Sequence, residues 1–199
     1  MYKKIGLVLT LLGGTLIALS STSHATPIAG PGYHIANQFS DSEQCFSHSG
    51  ITPPLAGFEG NSYLISTGAY HFGWIRGMCS GGGWTNPVGV IKGDEETELA
   101  NAPQGKCPSG SYPDEVDGFY TAYGLGAMEY TCFNPKTGTS QGQFHFGNDT
   151  QGSYSAGRCG GNDVMIGFKA WLAATLSNPP GNLETTAITE LDLICGTSP

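Results

Sequence analysis

Three stretches of this chain open and close with a cysteine, and each repeats one internal plan. They run from Cys45 to Cys79, from Cys107 to Cys132 and from Cys159 to Cys195, and they use all six cysteines. Each carries an aliphatic-x-Gly-Phe step: Leu55-Ala-Gly57-Phe58, Val116-Asp-Gly118-Phe119 and Met165-Ile-Gly167-Phe168. Each closes with a strand-like run into its second cysteine. Ala69-Tyr70 and Ala122-Tyr123 open those runs in the first two stretches, and Ile75, Met128 and Leu191 all stand four residues before the closing cysteine. Six cysteines allow fifteen pairings, and spacing alone selects none of them. The triplication selects one bridge per repeat: Cys45–Cys79, Cys107–Cys132 and Cys159–Cys195.

The repeats lie behind a leader. Met1-Tyr2-Lys3-Lys4 is basic, Ile5 to Leu19 is apolar, and Ser23-His24-Ala25 is a small-x-small cleavage signal. This pattern predicts a secretory signal peptide over 1–25, whose apolar run is short for a membrane span. Residues 26–44 then form an N-terminal segment, and 45–199 a single domain. All sixteen acidic residues lie beyond residue 25, with only six of the eight Lys and Arg, so that part carries ten net negative charges. An acidic surface without a basic stripe argues against nucleic acid and against anionic membranes. Paired cysteines behind a leader imply an oxidising compartment, periplasmic or extracellular. A zinc site is the rival reading of the cysteines, but no Cys-x-x-Cys pair occurs and the histidines are scattered.

Short apolar runs between glycine-rich turns predict an all-β protein. Met165 to Trp171 and Ile188 to Ile194 alternate with one apolar face, apart from a break that suggests a bulge near Glu190. Asn178-Pro-Pro-Gly181 must turn. Asp94 to Ala100 reads as an exposed acidic loop rather than a helical turn. Trp74 and Trp171 read as core, whereas Trp84, after Ser80-Gly-Gly-Gly83 and before Thr85-Asn86-Pro87, reads as an exposed loop aromatic. Phe58, Phe119 and Phe168 are expected at equivalent buried places. Ser80 to Lys106 and Phe133 to Arg158 read as the long loops between repeats.

Cys107-Pro-Ser-Gly-Ser-Tyr112, followed by Gly118-Phe119, resembles the repeat opening of the vitelline membrane outer layer protein I family. Glu184-Thr-Thr-Ala-Ile-Thr-Glu-Leu-Asp-Leu-Ile-Cys195 is similar to that family's repeat ending, with Thr186-Ala187 at the family's distance from the closing cysteine. The resemblance implies a β-prism of the first type, with three Greek-key sheets in pseudo-threefold arrangement, as in jacalin-like lectins. It covers about 45–195, and the first two repeats depart from it by lacking the acidic Thr-Ala motif.

Few residues carry recognisable chemistry. Carbohydrate recognition needs an apolar face for the sugar ring and acceptors for its hydroxyls. Trp84 with Asp94, and Phe146 with Asp149, bring those types together on the two long connectors, and Glu184 lies at the acidic turn of the third repeat. Each has a plainer reading as a solvated turn. The Asp94 to Glu98 cluster lacks the spacing of a calcium loop, so no metal or other cofactor is expected. His71 has no nucleophile motif beside it, and His145 between two phenylalanines reads as a packed or edge residue. Asn148-Asp149-Thr150 matches a glycosylation sequon. The expected function is glycan or glycoprotein binding without catalysis. The alternatives are a glycan-active enzyme using paired carboxylates, which the resemblance family suggests, and a structural or host-interacting secreted protein without a small ligand.

Overall fold

Each cysteine-bounded stretch is built on one antiparallel strand pair, because its two apolar runs share one buried face. The computed structural model describes residues 23–24, 28–29, 39–46, 52–64, 68, 70–91, 93–121, 124–147, 153–176 and 183–197. In chain order the elements are β1 (Ser23–His24), β2 (Ile28–Ala29), β3 (Phe39–Gln44), β4 (Leu55–Leu64), β5 (Tyr70–Cys79), β6 (Val88–Gly89), α1 (Glu95–Asn101), β7 (Gln104–Lys106), β8 (Tyr112–Thr121), β9 (Gly124–Asn134), β10 (Thr139–Gly147), β11 (Ser153–Arg158), β12 (Asp163–Leu176) and β13 (Leu183–Thr197).

Three sheets result. The first has the order β6-β5-β4-β7 and the second β10-β9-β8-β11, so in each a three-strand meander is joined by a fourth strand that returns beside the first, a Greek key. The third has the central pair β12–β13, with β3 on one side and β1 and β2 on the other. Its outer strands come from the other end of the chain, so the N-terminal strands close the threefold arrangement. This is the expected all-β β-prism.

The registers make the pseudo-symmetry exact to the residue. All three hairpins slip by one residue at the same place: between Leu55 and Gly57, between Pro113 and Glu115, and between Met165 and Gly167. A second slip omits Gly73, Gly126 and Thr189, each six residues before its closing cysteine. The bulge expected near Glu190 is therefore at Thr189. At the matching places Gly89 (φ 111°) and Gly147 (φ 89°) lie against the carbonyls of Gly73 and Gly126, where a Cβ would collide with backbone.

These registers correct the expected phenylalanine triplet. Phe58 and Phe168 pair with the residue two before the closing cysteine, whereas the residue in that register in the second hairpin is Val116, opposite Tyr130. Phe119 is shifted three places along and matches Asn61 and Trp171, on the half-buried outer face. The aromatic that Val116 lacks is supplied across the strand by Tyr130, whose ring meets Phe58 edge-on at 5.3 Å. Phe58 meets Phe168 at 5.8 Å, so the three sheets touch through one aromatic cluster. Ile75, Met128 and Leu191 are all buried in the same core, as their common spacing implies. Trp74 is buried, but Trp171 is only partly so: it lies on the outer face under Lys169, whose ammonium sits 4.0 Å from the ring centroid.

The disulfides pair as expected: Cys45–Cys79, Cys107–Cys132 and Cys159–Cys195. They lie within sequence repeats but between sheets. Cys45 follows β3 of the third sheet and bonds β5 of the first; Cys107 follows β7 of the first and bonds β9 of the second; Cys159 follows β11 of the second and bonds β13 of the third. Each opening cysteine also donates its amide within the sheet of the strand it follows, to Ile166 on β12, Ala56 on β4 and Asp114 on β8 respectively. Those three acceptors are the residues omitted by the first register slip.

Two expectations about connectors are corrected. The segments read as loops carry strands: β6 and β7 in one, β10 and β11 in the other. β10 is an edge strand that is exposed along most of its length, so its sequence lacks the apolar alternation that marks a half-buried strand. The acidic stretch read as a loop is the helix α1. Asp94 caps its N-terminus by accepting from the Thr97 amide at 2.9 Å, and three glutamates occupy the first turn. Its tertiary anchor is Glu98, which accepts from Asn61 Nδ2 at 2.6 Å and from the Tyr63 hydroxyl at 3.1 Å. That anchor tips a short, marginal helix into forming.

Candidate functional site

The outer face of the first sheet carries a groove beside an exposed aromatic. Alternation along β5 puts Arg76 and Met78 on that face, and β7 adds Gln104 and Lys106 beside β4. After β5 the chain turns through Ser80-Gly-Gly-Gly83 and folds back, so that Trp84 bridges Met78. The turn is tied down at every step. Gly82 donates to the Cys79 carbonyl, Cys79 to that of Gly83, and Thr85 to that of Gly77, while the Thr85 hydroxyl accepts from the Gly77 amide at 2.9 Å. Asn86 is held from the third sheet by Glu43, which accepts from its backbone amide at 3.1 Å.

Trp84 is therefore a fixed aromatic that still exposes 40% of its surface. Arg76 lies 4.3 Å from its ring centroid, and the Arg76 charge is taken up by Glu59, at 2.5 Å, whose side chain is only 2% exposed. The indole is thus braced from within the sheet. Beside it lies a groove of about 350 Å³ lined by Met78, Cys79, Ser80, Gly82, Gly83, Trp84, Gln104 and Lys106. An apolar ring with an amide, an ammonium and a hydroxyl around it combines an apolar contact face with polar groups that can orient a ligand.

The other expected site residues lie elsewhere. Asp94 is spent on the cap of α1, and the hydrogen bonds from Thr97 hold its carboxyl below the usual range. α1 is anchored at Asn61 and Tyr63, whereas Trp84 meets Met78 beside Cys79, so the two lie toward opposite ends of the β4–β5 hairpin. Asp149, with the sequon around it, lies outside the described residues. The backbone of Glu184 belongs to β13, opposite β12, and its side chain lies outside what is described. Sequence reading missed Gln104, Lys106 and Met78. Gln104 and Lys106 reach the Trp84 face only because β7 pairs with β4 and β4 with β5, whereas Met78 meets Trp84 directly across the turn that follows β5.

Two further polar clusters lie on the second sheet. Glu129 accepts from Gln143 at 2.7 Å and faces His145 Nδ1 at 3.0 Å on the edge strand β10, in the edge position expected for His145. Asp117 stands opposite Glu129 across β8 and β9, so two carboxylates adjoin on one strand pair there. Asp114, 2% exposed, is bonded to Arg158 at 3.2 Å, and loss of water raises its pKa despite that cation. His71 is fully buried within β5. Among the described residues no cluster of His, Cys, Asp and Glu could hold a metal ion, and no helix is long and apolar enough to cross a membrane.

No protein-family model matches the chain, and no curated protein matches it in sequence. Solved structures match it in fold. The crystal structure of Calystegia sepium agglutinin aligns with a TM-score of 0.50 at 11% identity, covering 90% of this chain and 97% of its own. The artocarpin–mannotriose complex aligns at 0.48 and 13% identity, covering 89% of this chain and 99% of its own. The V. cholerae biofilm matrix protein Bap1 aligns at 0.45 and 11% identity over 90% of this chain and 24% of its own.

Proposed function

We propose that the protein is a carbohydrate-binding β-prism protein and that Trp84 is its sugar-stacking platform. The observation that carries this reading is a tryptophan in a hydrogen-bonded turn, backed by Arg76 and yet 40% exposed. An exposed indole costs solubility and gains nothing for the core, which is closed by Phe58, Tyr130 and Phe168. Because its loop is already ordered, a ligand meets little conformational cost on binding. The fold shared with a protein named as an agglutinin supports the reading. Binding without catalysis suits the groove, where no carboxylate stands among the lining residues. Kinship with the vitelline membrane outer layer protein I family is part of the proposal, supported by the motifs at 107–119 and 184–195.

The compartment follows the same lines. Three disulfides suit an oxidising, extracellular or periplasmic setting. Cleavage after Ala25 would detach β1 from β13 and leave β2 to hold that edge.

The test is a glycan array probed with the chain cleaved after Ala25, alongside Trp84→Ala. Wild type should bind a defined subset of glycans. The variant should lose at least about tenfold in affinity, a difference of about 1.4 kcal/mol, with its melting temperature nearly unchanged. Absence of any glycan ligand, or measurable cleavage of an amino-sugar oligosaccharide by wild type, would overturn the reading.

A further inference from the structure

The pseudo-symmetry singles out one cation. Lys106 pairs with Gly57 across β7 and β4, Arg158 with Glu115 across β11 and β8, and Gln44 with Gly167 across β3 and β12, so the three occupy equivalent places. In the second sheet Arg158 is neutralised by Asp114, the residue omitted at the register slip. In the first sheet the corresponding residue is Ala56, and Lys106 has no ion-pair partner among the described residues. The other cation on this face, Arg76, is neutralised by Glu59. Among the described residues Lys106 is therefore the one uncompensated positive charge on the wall of the Trp84 groove.

Its position relative to the indole is set by the sheet. Lys106, Gly57, Met78 and Trp84 form one row across β7, β4, β5 and the segment that folds back after β5. Three strand spacings separate its ends, about 14 Å between backbones. Gly57 puts no side chain into the row, so nothing projects between the ammonium and Met78 at that point. One sugar stacked on Trp84 and a second unit beside Lys106 fit this separation better than a single ring contacting both.

We propose that the groove selects oligosaccharides carrying a carboxylate, of the uronic- or sialic-acid class, with Trp84 stacking one unit and the Lys106 ammonium pairing the carboxylate of another. The proposal rests on the reading of Trp84 as a sugar platform and adds the class of ligand. The protein's net charge of −8 repels anions at long range, so selection by Lys106 is a short-range effect that added salt would weaken.

The experiment is titration calorimetry of the chain cleaved after Ala25 with oligogalacturonate, oligomannuronate and sialyllactose, each against its carboxyl-reduced counterpart. Wild type should bind at least one acidic member about fivefold more tightly than its reduced form, the ratio that about 1 kcal/mol gives. Lys106→Gln should bring that ratio to about one, and Trp84→Ala should weaken binding of both forms. Arg158→Gln, the symmetry-equivalent control, should leave the ratio unchanged. Equal affinity for acidic and reduced forms, or a ratio that survives Lys106→Gln, overturns the acidic class and leaves Trp84 as a platform for neutral sugars. Binding of no member in either form overturns the acidic class, while the glycan array alone decides whether Trp84 is a sugar platform.

Discussion

The amide of Cys45 donates to the carbonyl of Ile166 at 3.2 Å, joining the start of the first repeat to the hairpin of the last. The same bond recurs from Cys107 to Ala56 at 2.8 Å and from Cys159 to Asp114 at 2.7 Å. The three bonds run cyclically, each from an opening cysteine to the bulge of the preceding sheet. A bulge frees a carbonyl from its ladder, and here each freed carbonyl holds the end of the outer strand paired beside it in the same sheet. From those anchored strand ends the disulfides tie each sheet to the next.

The Cys45–Cys79 bridge should accordingly matter to the whole molecule and not to one repeat. Replacing both cysteines by serine opens a loop with a separation of 34 residues. The expected loss is about 4 kcal/mol in the chain-entropy treatment. Calorimetry should show a lower melting temperature in one transition. Independent melting of the first repeat would contradict the inter-sheet role.

The aromatic cluster makes a second prediction. Phe58→Ala or Phe168→Ala should each cost about 3–5 kcal/mol, because both rings are fully buried. Phe119→Ala, on the half-buried outer face, should cost less than about 2 kcal/mol. Urea unfolding of the three variants decides the ordering, and equal losses would restore the simple Gly-Phe equivalence.

The Glu59–Arg76 pair should be worth far more than its outer-face position suggests. Glu59 is 2% exposed, so Glu59→Ala leaves Arg76 uncompensated beneath Trp84. A loss of about 3 kcal/mol is expected. Glu129→Ala, which breaks the more exposed contact with His145, should cost about 1 kcal/mol or less. Paired chemical denaturation curves measure both.

Asp114 gives a pH dependence of definite sign. Burial raises its pKa above the ordinary value of 3.8 in spite of Arg158. A carboxyl raised on folding favours the folded state when protonated, and that contribution is lost as pH rises through the folded pKa. Asp114→Asn removes the titration while keeping a similar shape. The variant should gain stability relative to wild type between pH 3 and neutrality. A difference that is flat with pH, or that shrinks on the way to neutrality, would show that the Arg158 contact dominates.

The cysteine-bounded repeats, their pairing and the all-β prism were legible in the sequence, because disulfide partners and strand alternation are written in local order. So was the exposure of Trp84, since three glycines and a proline leave its neighbourhood neither helix nor long strand. The register was not legible. Gly118-Phe119 matches Gly57-Phe58 letter for letter yet sits three residues out of phase, and Tyr130 fills the vacant core place from the facing strand. Strand pairing chooses phase by the whole buried face, not by one dipeptide. Nor could any local pattern foretell that Lys106 joins Trp84 or that Glu98 anchors α1. Those neighbours are separated along the chain and meet only through the cross-strand order of the first sheet, so tertiary structure alone decided the composition of the groove.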